Sequence, residues 1–346
     1  MSRIIEYSID DQNQWDAVVR SFQDYDVFYL SGYSKAFMKE NPKKNGIPVL
    51  LLYENGSDRA INVVFRRDVA HDEKLREKIE LGKYYDLITP YGYGGFWGSV
   101  SDWAQLNQTY TDYCVSNHYI CEFVRFELFT EYAQHYDGDV ESRTHNVIRS
   151  LSLPLDEMWM DFKQKVRKNV KKANSYNLSI IVEPTYDHID DFLRIYYSTM
   201  ERTYAEKEYF FSRTFYESLC EMKDNVMFFH AVYDGKIVST ELVIYGTENC
   251  YSYLGGTDID YLHVRPNDFL KYEIIKWAKG KGLKCFVLGG GYGADDGIFQ
   301  YKYALAPHGV VDFCIGRKIF DQKSYDMLVG LRSDTINEDF FPVYRS

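Results

Sequence analysis

The chain has 346 residues, enough for two cores, and its 45% hydrophobic and 26% charged residues are the composition of an ordinary folded protein. A net charge of −11 excludes a protein that coats nucleic acid, which needs clustered cations, so DNA is not an expected partner. No apolar run approaches membrane-span length and residues 1–11 contain no apolar signal stretch. No transmembrane segment and a cytoplasmic location are therefore expected.

From the amino terminus, residues 3–8 predict a strand and Asp10 or Asp11 predicts the cap of a helix to about residue 22. A second helix is expected over 33–39. Strands follow at 48–53 and 60–66, joined by Glu54-Asn55-Gly56-Ser57, which contains a hairpin signal. A strand at 85–88 ends in the glycine and aromatic loop Pro90-Tyr91-Gly92-Tyr93-Gly94-Gly95. A helix over 101–116 and a strand over 121–129 complete the first half.

The second half repeats this order. A strand is expected at 179–182, a helix capped by Asp187 with the stripe Ile189, Phe192, Tyr196 and Met200, and another capped by Ser212 with Phe215, Leu219 and Met222. Strands at 226–233 and 236–245 are joined by Asp234-Gly235, and a third at 250–254 ends in Gly255-Gly256. Asn267 is expected to cap a helix to Lys279, and a strand at 285–288 closes the set. Strand, two helices, a three-strand meander, a helix and a strand is the order of the GNAT acyltransferase fold. Its repetition predicts an internal duplication.

Between the halves a single helix is expected over 156–173. Trp159, Phe162, Val166, Val170 and Ala173 fall on one face. The other faces carry Lys165, Arg167, Lys168, Lys171 and Lys172, either a solvated surface or a basic patch for a ligand's phosphates.

The residues also bound the chemistry. Six cysteines lie at 114, 121, 220, 250, 285 and 314 without C-x-x-C spacing, and eight histidines occur without H-E-x-x-H spacing, so no metal is expected. After the strand at 285–288 come glycines 289, 290, 291, 293 and 297, where backbone approaches a ligand closely. That loop is expected to deliver Tyr301 and Lys302. Attack of an amine on an acyl carbonyl needs positive charge where the oxyanion forms and an acceptor for the amine proton. Lys302 supplies the first. Asp295, Asp296 and Glu241 are candidates for the second, although Glu241, a lone carboxylate in an apolar strand, also fits an outward-facing surface residue. The stretch 258–267, where a CoA-using GNAT grips pyrophosphate with glycine-rich backbone, has Arg265, Pro266 and Asn267 but no glycine.

Taken in order, Trp159-x-x-Phe162-x-x-Lys165-x-Arg167-x-x-Val170-Lys171-Lys172-Ala173, Tyr197-x-x-Met200-x-Arg202, Asp234-Gly235-Lys236-Ile237-Val238-Ser239, Arg265-Pro266-Asn267-x-x-Leu270-x-Tyr272, Gly289-Gly290-Gly291 and Asp296-Gly297-Ile298-Phe299-Gln300-Tyr301-Lys302 resemble the FemAB family. These are tandem-GNAT aminoacyltransferases of bacterial peptidoglycan cross-bridges. The resemblance implies an α/β (α+β) fold of two tandem GNAT-like (acyl-CoA N-acyltransferase-like) domains, each a mixed, mostly antiparallel sheet flanked by helices. It implies domains at 1–152 plus about 314–346 and at 153–313. No cofactor is implied to be tightly bound. The implied donor is aminoacyl-tRNA, reaching the protein through its acceptor end, with acyl-CoA the alternative. The implied acceptor is an amine of a small-molecule or lipid-linked peptidoglycan precursor. By the same resemblance Lys302 stabilises the oxyanion, with Tyr301 where the family has phenylalanine. Tyr91, Tyr93, Gly290, Gly291 and Asn267 line the substrate, and Lys35 and Arg202 contact acceptor phosphates. The long coiled-coil arm of some members is missing. Two other readings fit the sequence: a CoA-dependent N-acyltransferase of an amino sugar or other small amine, and a tandem-GNAT protein that only binds.

Overall fold

A computed structural model describes residues 2–291, 293 and 296–346. In chain order the strands are β1 (Arg3–Ser8), β2 (Ile47–Asn55), β3 (Asp58–Asp68), β4 (Tyr85–Ile88), β5 (Trp97–Ser99), β6 (Tyr119–Arg125), β7 (Asp139–Ser150), β8 (Ser179–Glu183), β9 (Val226–Tyr233), β10 (Lys236–Tyr245), β11 (Asn249–Thr257), β12 (Cys285–Gly289) and β13 (Val310–Ile319). The helices are α1 (Gln12–Arg20), α2 (Ser31–Glu40), α3 (Pro42–Asn45), α4 (Trp103–Ser116), α5 (Tyr132–His135), α6 (Leu155–Asp161), α7 (Gln164–Ser175), α8 (Ile189–Arg202), α9 (Arg213–Cys220), α10 (Pro266–Gly280), α11 (Gly297–Leu305) and α12 (Gln322–Gly330). Two compact units result, one from Met1–Arg143 with Phe313–Ser346, the other from Thr144–Asp312.

The duplication reaches the strand pairing. In the first unit the sheet order is β1-β2-β3-β4-β6-β13, with β5 on β3. All these pairs are antiparallel except β4 with β6. The second unit has the order β8-β9-β10-β11-β12-β7, again antiparallel except β11 with β12. Each unit therefore takes its sixth strand from the chain segment that follows the other unit's fifth. The Asp234-Gly235 turn is as expected: φ is +50° and +74°, the pair of left-handed residues that lets a two-residue loop join twisted strands.

Both cores are apolar and rich in aromatic rings. That of the second unit runs from Phe162, Val166 and Val170 through Phe229 and Val243 to Leu270, Ile274 and Phe286. The helix α8 lies so close to β11 that a Cβ on Gly256 would come within 2.9 Å of the Ile195 carbonyl. Any side chain there would push α8 off the sheet.

Four local expectations are corrected. The helix expected over 156–173 is broken into α6 and α7 at Phe162 and Lys163, which take extended backbone with ψ of 143° and 146°. Phe162 turns into the core, Lys163 N–H donates to Ala304 O at 2.9 Å, and Arg167 donates to the carbonyls of Met160 and Phe162 at 2.7 and 2.5 Å. The Arg167 guanidinium thereby satisfies the open end of α6. Asn267 is not the cap of α10: left-handed Arg265 holds that position and Pro266 opens the helix, where its missing N–H is not needed. His188, not Asp187, precedes α8, because Asp187 accepts from Thr185 Oγ1 at 2.8 Å. Tyr301 and Lys302 lie on helix α11, not on a loop. Asp11 and Ser212 do cap α1 and α9, accepting from Gln14 and Phe215 N–H at 3.0 and 3.3 Å. No helix among the described residues is long and apolar enough to cross a membrane.

Candidate active site

The site grows out of α11. Asp296 caps it, accepting from Phe299 N–H at 2.7 Å and from Gly293 N–H at 3.1 Å, and Phe299 and Leu305 anchor it in the core. On this helix Lys302 Nζ donates to Gly290 O at 2.6 Å. The glycines permit the approach. Gly289 has φ +78° and a Cβ there would stand 3.3 Å from Lys302 Nζ, while one on Gly290 would meet His145 O at 2.7 Å. Burial, reinforced by the Lys271 ammonium, pushes Lys302 down to about 8; the Glu241 and Asp296 carboxylates pull it the other way.

Lys271 explains Glu241. Glu241 on β10 and Lys271 on α10 are only 3% and 6% exposed, and Lys271 Nζ reaches Glu241 Oε1 and Ser252 Oγ at 2.5 Å each. Glu241 is thus inward and paired, contrary to the outward-facing alternative, as a buried carboxylate must be. Its neighbour across the ladder is Gly255, which adds no side chain. The Tyr301 hydroxyl is buried; burial, then the charges of Asp268 and Glu241, keep it protonated, against a hydrogen bond with the Asn267 side chain. Asp268, in the first turn of α10, accepts from Asn169 Nδ2 at 3.1 Å. Burial pushes its carboxyl up to about 6, against the pull of Asn169, Arg265 and Lys165.

These groups gather where two parallel strands part. The β11 and β12 ladder has three pairs among the described residues, ending at Tyr251 and Val287. Ser252 follows directly on β11, and Gly289 and Gly290 follow closely on β12. Opposite Leu242 and Val243 the β10 register skips Tyr253, the extra residue of a bulge in β11.

Of the expected site residues, Lys302, Tyr301, Glu241, Asp296, Gly290, Gly291 and Asn267 are all in the second unit. Asp296 serves as helix cap and a Cβ on Gly291 would collide with its carboxylate. Asp295 lies outside the described residues. Lys165, Lys168, Lys171 and Lys172 are on the solvent face of α7, whereas Arg167 is spent on the α6 carbonyls. Arg202 is exposed in the last turn of α8. Lys35 belongs to the first unit, donating to Gln12 Oε1 at 3.3 Å in a depression of about 370 Å³ shared with Asp10 and Asp11. Tyr91 and Tyr93 are also in that unit: Tyr33 Oη donates to Tyr91 O at 2.6 Å, and the Tyr93 ring meets Phe28 edge-on at 5.3 Å. Sequence reasoning missed Lys271, Ser252 and Asp268. Lys271 did leave a signal, since it falls on the helix stripe of Ile274, Ile275 and Ala278, and a lysine on a core-facing stripe demands a buried partner.

Residues 160–303 match the family described as an acetyltransferase (GNAT) domain. No curated protein matches the chain in sequence. Among solved structures, FemX is similar with a TM-score of 0.71 at 12% identity, over 94% of this chain and 99% of that one. L-PGS from Bacillus licheniformis is similar at 0.57 and 10% identity, over 94% and 97% of the two chains. The C-terminal domain of a putative lysylphosphatidylglycerol synthetase from Agrobacterium fabrum is similar at 0.53 and 11%, over 89% and 91%. The family match makes the second unit a GNAT-type acyltransferase domain. Within that class the whole-chain likeness to FemX makes the fold FemAB-like, two GNAT-like units in tandem.

Proposed function

We propose that this acyltransferase moves an aminoacyl group from aminoacyl-tRNA to an amine of a peptidoglycan precursor, small or lipid-linked, in the cytoplasm. The observation that carries the reading is the half-buried Lys302 ammonium, held by Gly290 O at the mouth of the parting strands. With a pKa of about 8 it is about 10:1 protonated at pH 7. One of its three N–H groups is taken by Gly290, leaving two for an oxyanion. In this scheme the amine nitrogen bonds to the ester carbonyl, the ester C–O bond breaks, and the tRNA oxygen leaves as a hydroxyl. Asp268, raised to about 6 and within electrostatic reach of Tyr301, takes the amine proton and passes it to the departing tRNA oxygen. Tyr301 offers its buried hydroxyl to the bound substrate, and Asp296 positions Lys302 by capping α11. The exposed lysines of α7 favour the phosphates of the tRNA acceptor end over Lys35, which shares its depression with two carboxylates.

The amino end of α10 supports this donor over CoA. A pyrophosphate is gripped by helix N-terminal N–H groups and dipole, yet here the first residue is Pro266, without N–H, and the first turn carries the Asp268 carboxylate. The second reading, a CoA-dependent N-acyltransferase of an amino sugar or other small amine, draws on the acetyltransferase description of the matched family. A filter assay with charged tRNAs, run beside a thiol-release assay with acyl-CoAs, separates them. Aminoacyl transfer without thiol release is expected. Thiol release alone would replace the first reading by the second.

A further inference from the structure

A second cluster of reactive side chains lies in the second unit, apart from the residues assigned to transfer. It joins Glu183, the last residue of β8, His188 at the cap of α8 and His230 in the middle of β9, whose ligand atoms all lie within 4.8 Å of one another. His230 is fully buried. Its Nδ1 is hydrogen-bonded to Thr240 Oγ1 at 2.8 Å, while the buried Nε2 faces Glu183 Oε1 at 3.4 Å. His188 Nδ1 lies 2.7 Å from Glu183 Oε2, its side chain 38% exposed.

We propose that Glu183, His188 and His230 form a binding site for a divalent transition metal of the zinc class, with water in the fourth position. The ligand types suit it: two imidazoles and a carboxylate are a common three-ligand set for Zn²⁺. So does the spacing. Ligands about 2.0–2.1 Å from a tetrahedral ion stand roughly 3.3 Å apart, as His230 Nε2 and Glu183 Oε1 nearly do, and a small turn of the half-exposed His188 ring opens its shorter contact. With Nδ1–H given to Thr240 Oγ1, the tautomer that a metal-bound His230 requires, the Nε2 lone pair is available to the ion. Asp190 and Asp191 in the first turn of α8 offset the positive end of that helix. An ion here ties the edge strand β8 to β9 and to the start of α8, a structural role.

The test uses the full chain, stripped with a chelator and titrated with Zn²⁺ by calorimetry and with Co²⁺ by visible absorption. One equivalent of Zn²⁺ and the intense bands of four-coordinate Co²⁺ are expected. His188→Ala, at a half-exposed position that does not threaten folding, and Glu183→Gln, which keeps shape, each lower affinity roughly 100-fold or more, since even indirect ligand supports are worth 10–100-fold. Lys302→Ala takes up zinc like the wild type, which keeps this result separate from the transferase assignment. No stoichiometric uptake, or uptake unchanged in both cluster variants, overturns the site and leaves a hydrogen-bonded His-Glu-His cluster.

Discussion

Lys302→Ala protein is expected to turn over about 100-fold more slowly than wild type at pH 7, the scale of one lost oxyanion donor, with little change in KM for the acceptor. The ammonium is half-buried, fixed by Gly290 O at 2.6 Å and displaced to about 8 by desolvation and by Lys271. Such a group is expensive to keep in the folded state. For a lysine whose folded pKa lies below its unfolded value, the unfolded chain binds more protons between about 8 and 10.5, so this group opposes folding below that window and ceases to oppose it as pH rises through it. Lys302→Met, which removes the charge and keeps the bulk, is therefore expected to lose activity while its melting temperature stays level or rises. A wild-type rate in Lys302→Ala would falsify the assignment.

Glu241→Gln is expected to behave in the opposite way, destabilising the second unit by about 3–5 kcal/mol. Its carboxylate and the Lys271 ammonium are 4% and 7% exposed at the side chain and 2.5 Å apart. Removing one charge strands the other in the interior. For a unit of this size the loss amounts to a melting shift on the order of 10 °C, visible also as a lower urea midpoint with unchanged slope. Adding Lys271→Met to Glu241→Gln removes the stranded charge and restores most of the stability, a coupling that a double-mutant cycle measures. A single-variant loss below about 1 kcal/mol, within the range of an exposed pair, contradicts the buried pairing.

The units were legible because local rules and the global pattern agree there. Asp234-Gly235 between two apolar runs makes a hairpin, and Asp11 and Ser212 cap where their helices start. The break at Phe162 was not legible, since the three-and-four spacing of Trp159, Phe162 and Val166 continues across it and only tertiary donors, Lys163 and Arg167, create it. The strand β7 was hidden by charge, as residues 139–146 read Asp-Val-Glu-Ser-Arg-Thr-His-Asn and only the following stretch is apolar. Helix α11 was hidden by its own glycines: the loop signal from 289 to 297 masks an aspartate cap at 296 and a nine-residue helix. The same split runs through the site. The glycines, Lys302 and Glu241 were singled out from the sequence, whereas Lys271, which joins Glu241 to Ser252 only in the folded chain, and Asp268 were not.

The most direct test of the transfer centre is the pH dependence of single-turnover transfer in wild type relative to Lys302→Arg, a ratio that cancels titration of the acceptor amine. Arginine stays charged throughout, while Lys302 loses its proton through about 8. If the cation stabilises the oxyanion, the ratio is level below that pH and falls about tenfold per unit above it. A ratio that rises through pH 8 would instead make neutral Lys302 a base, and a flat ratio would remove it from the chemistry.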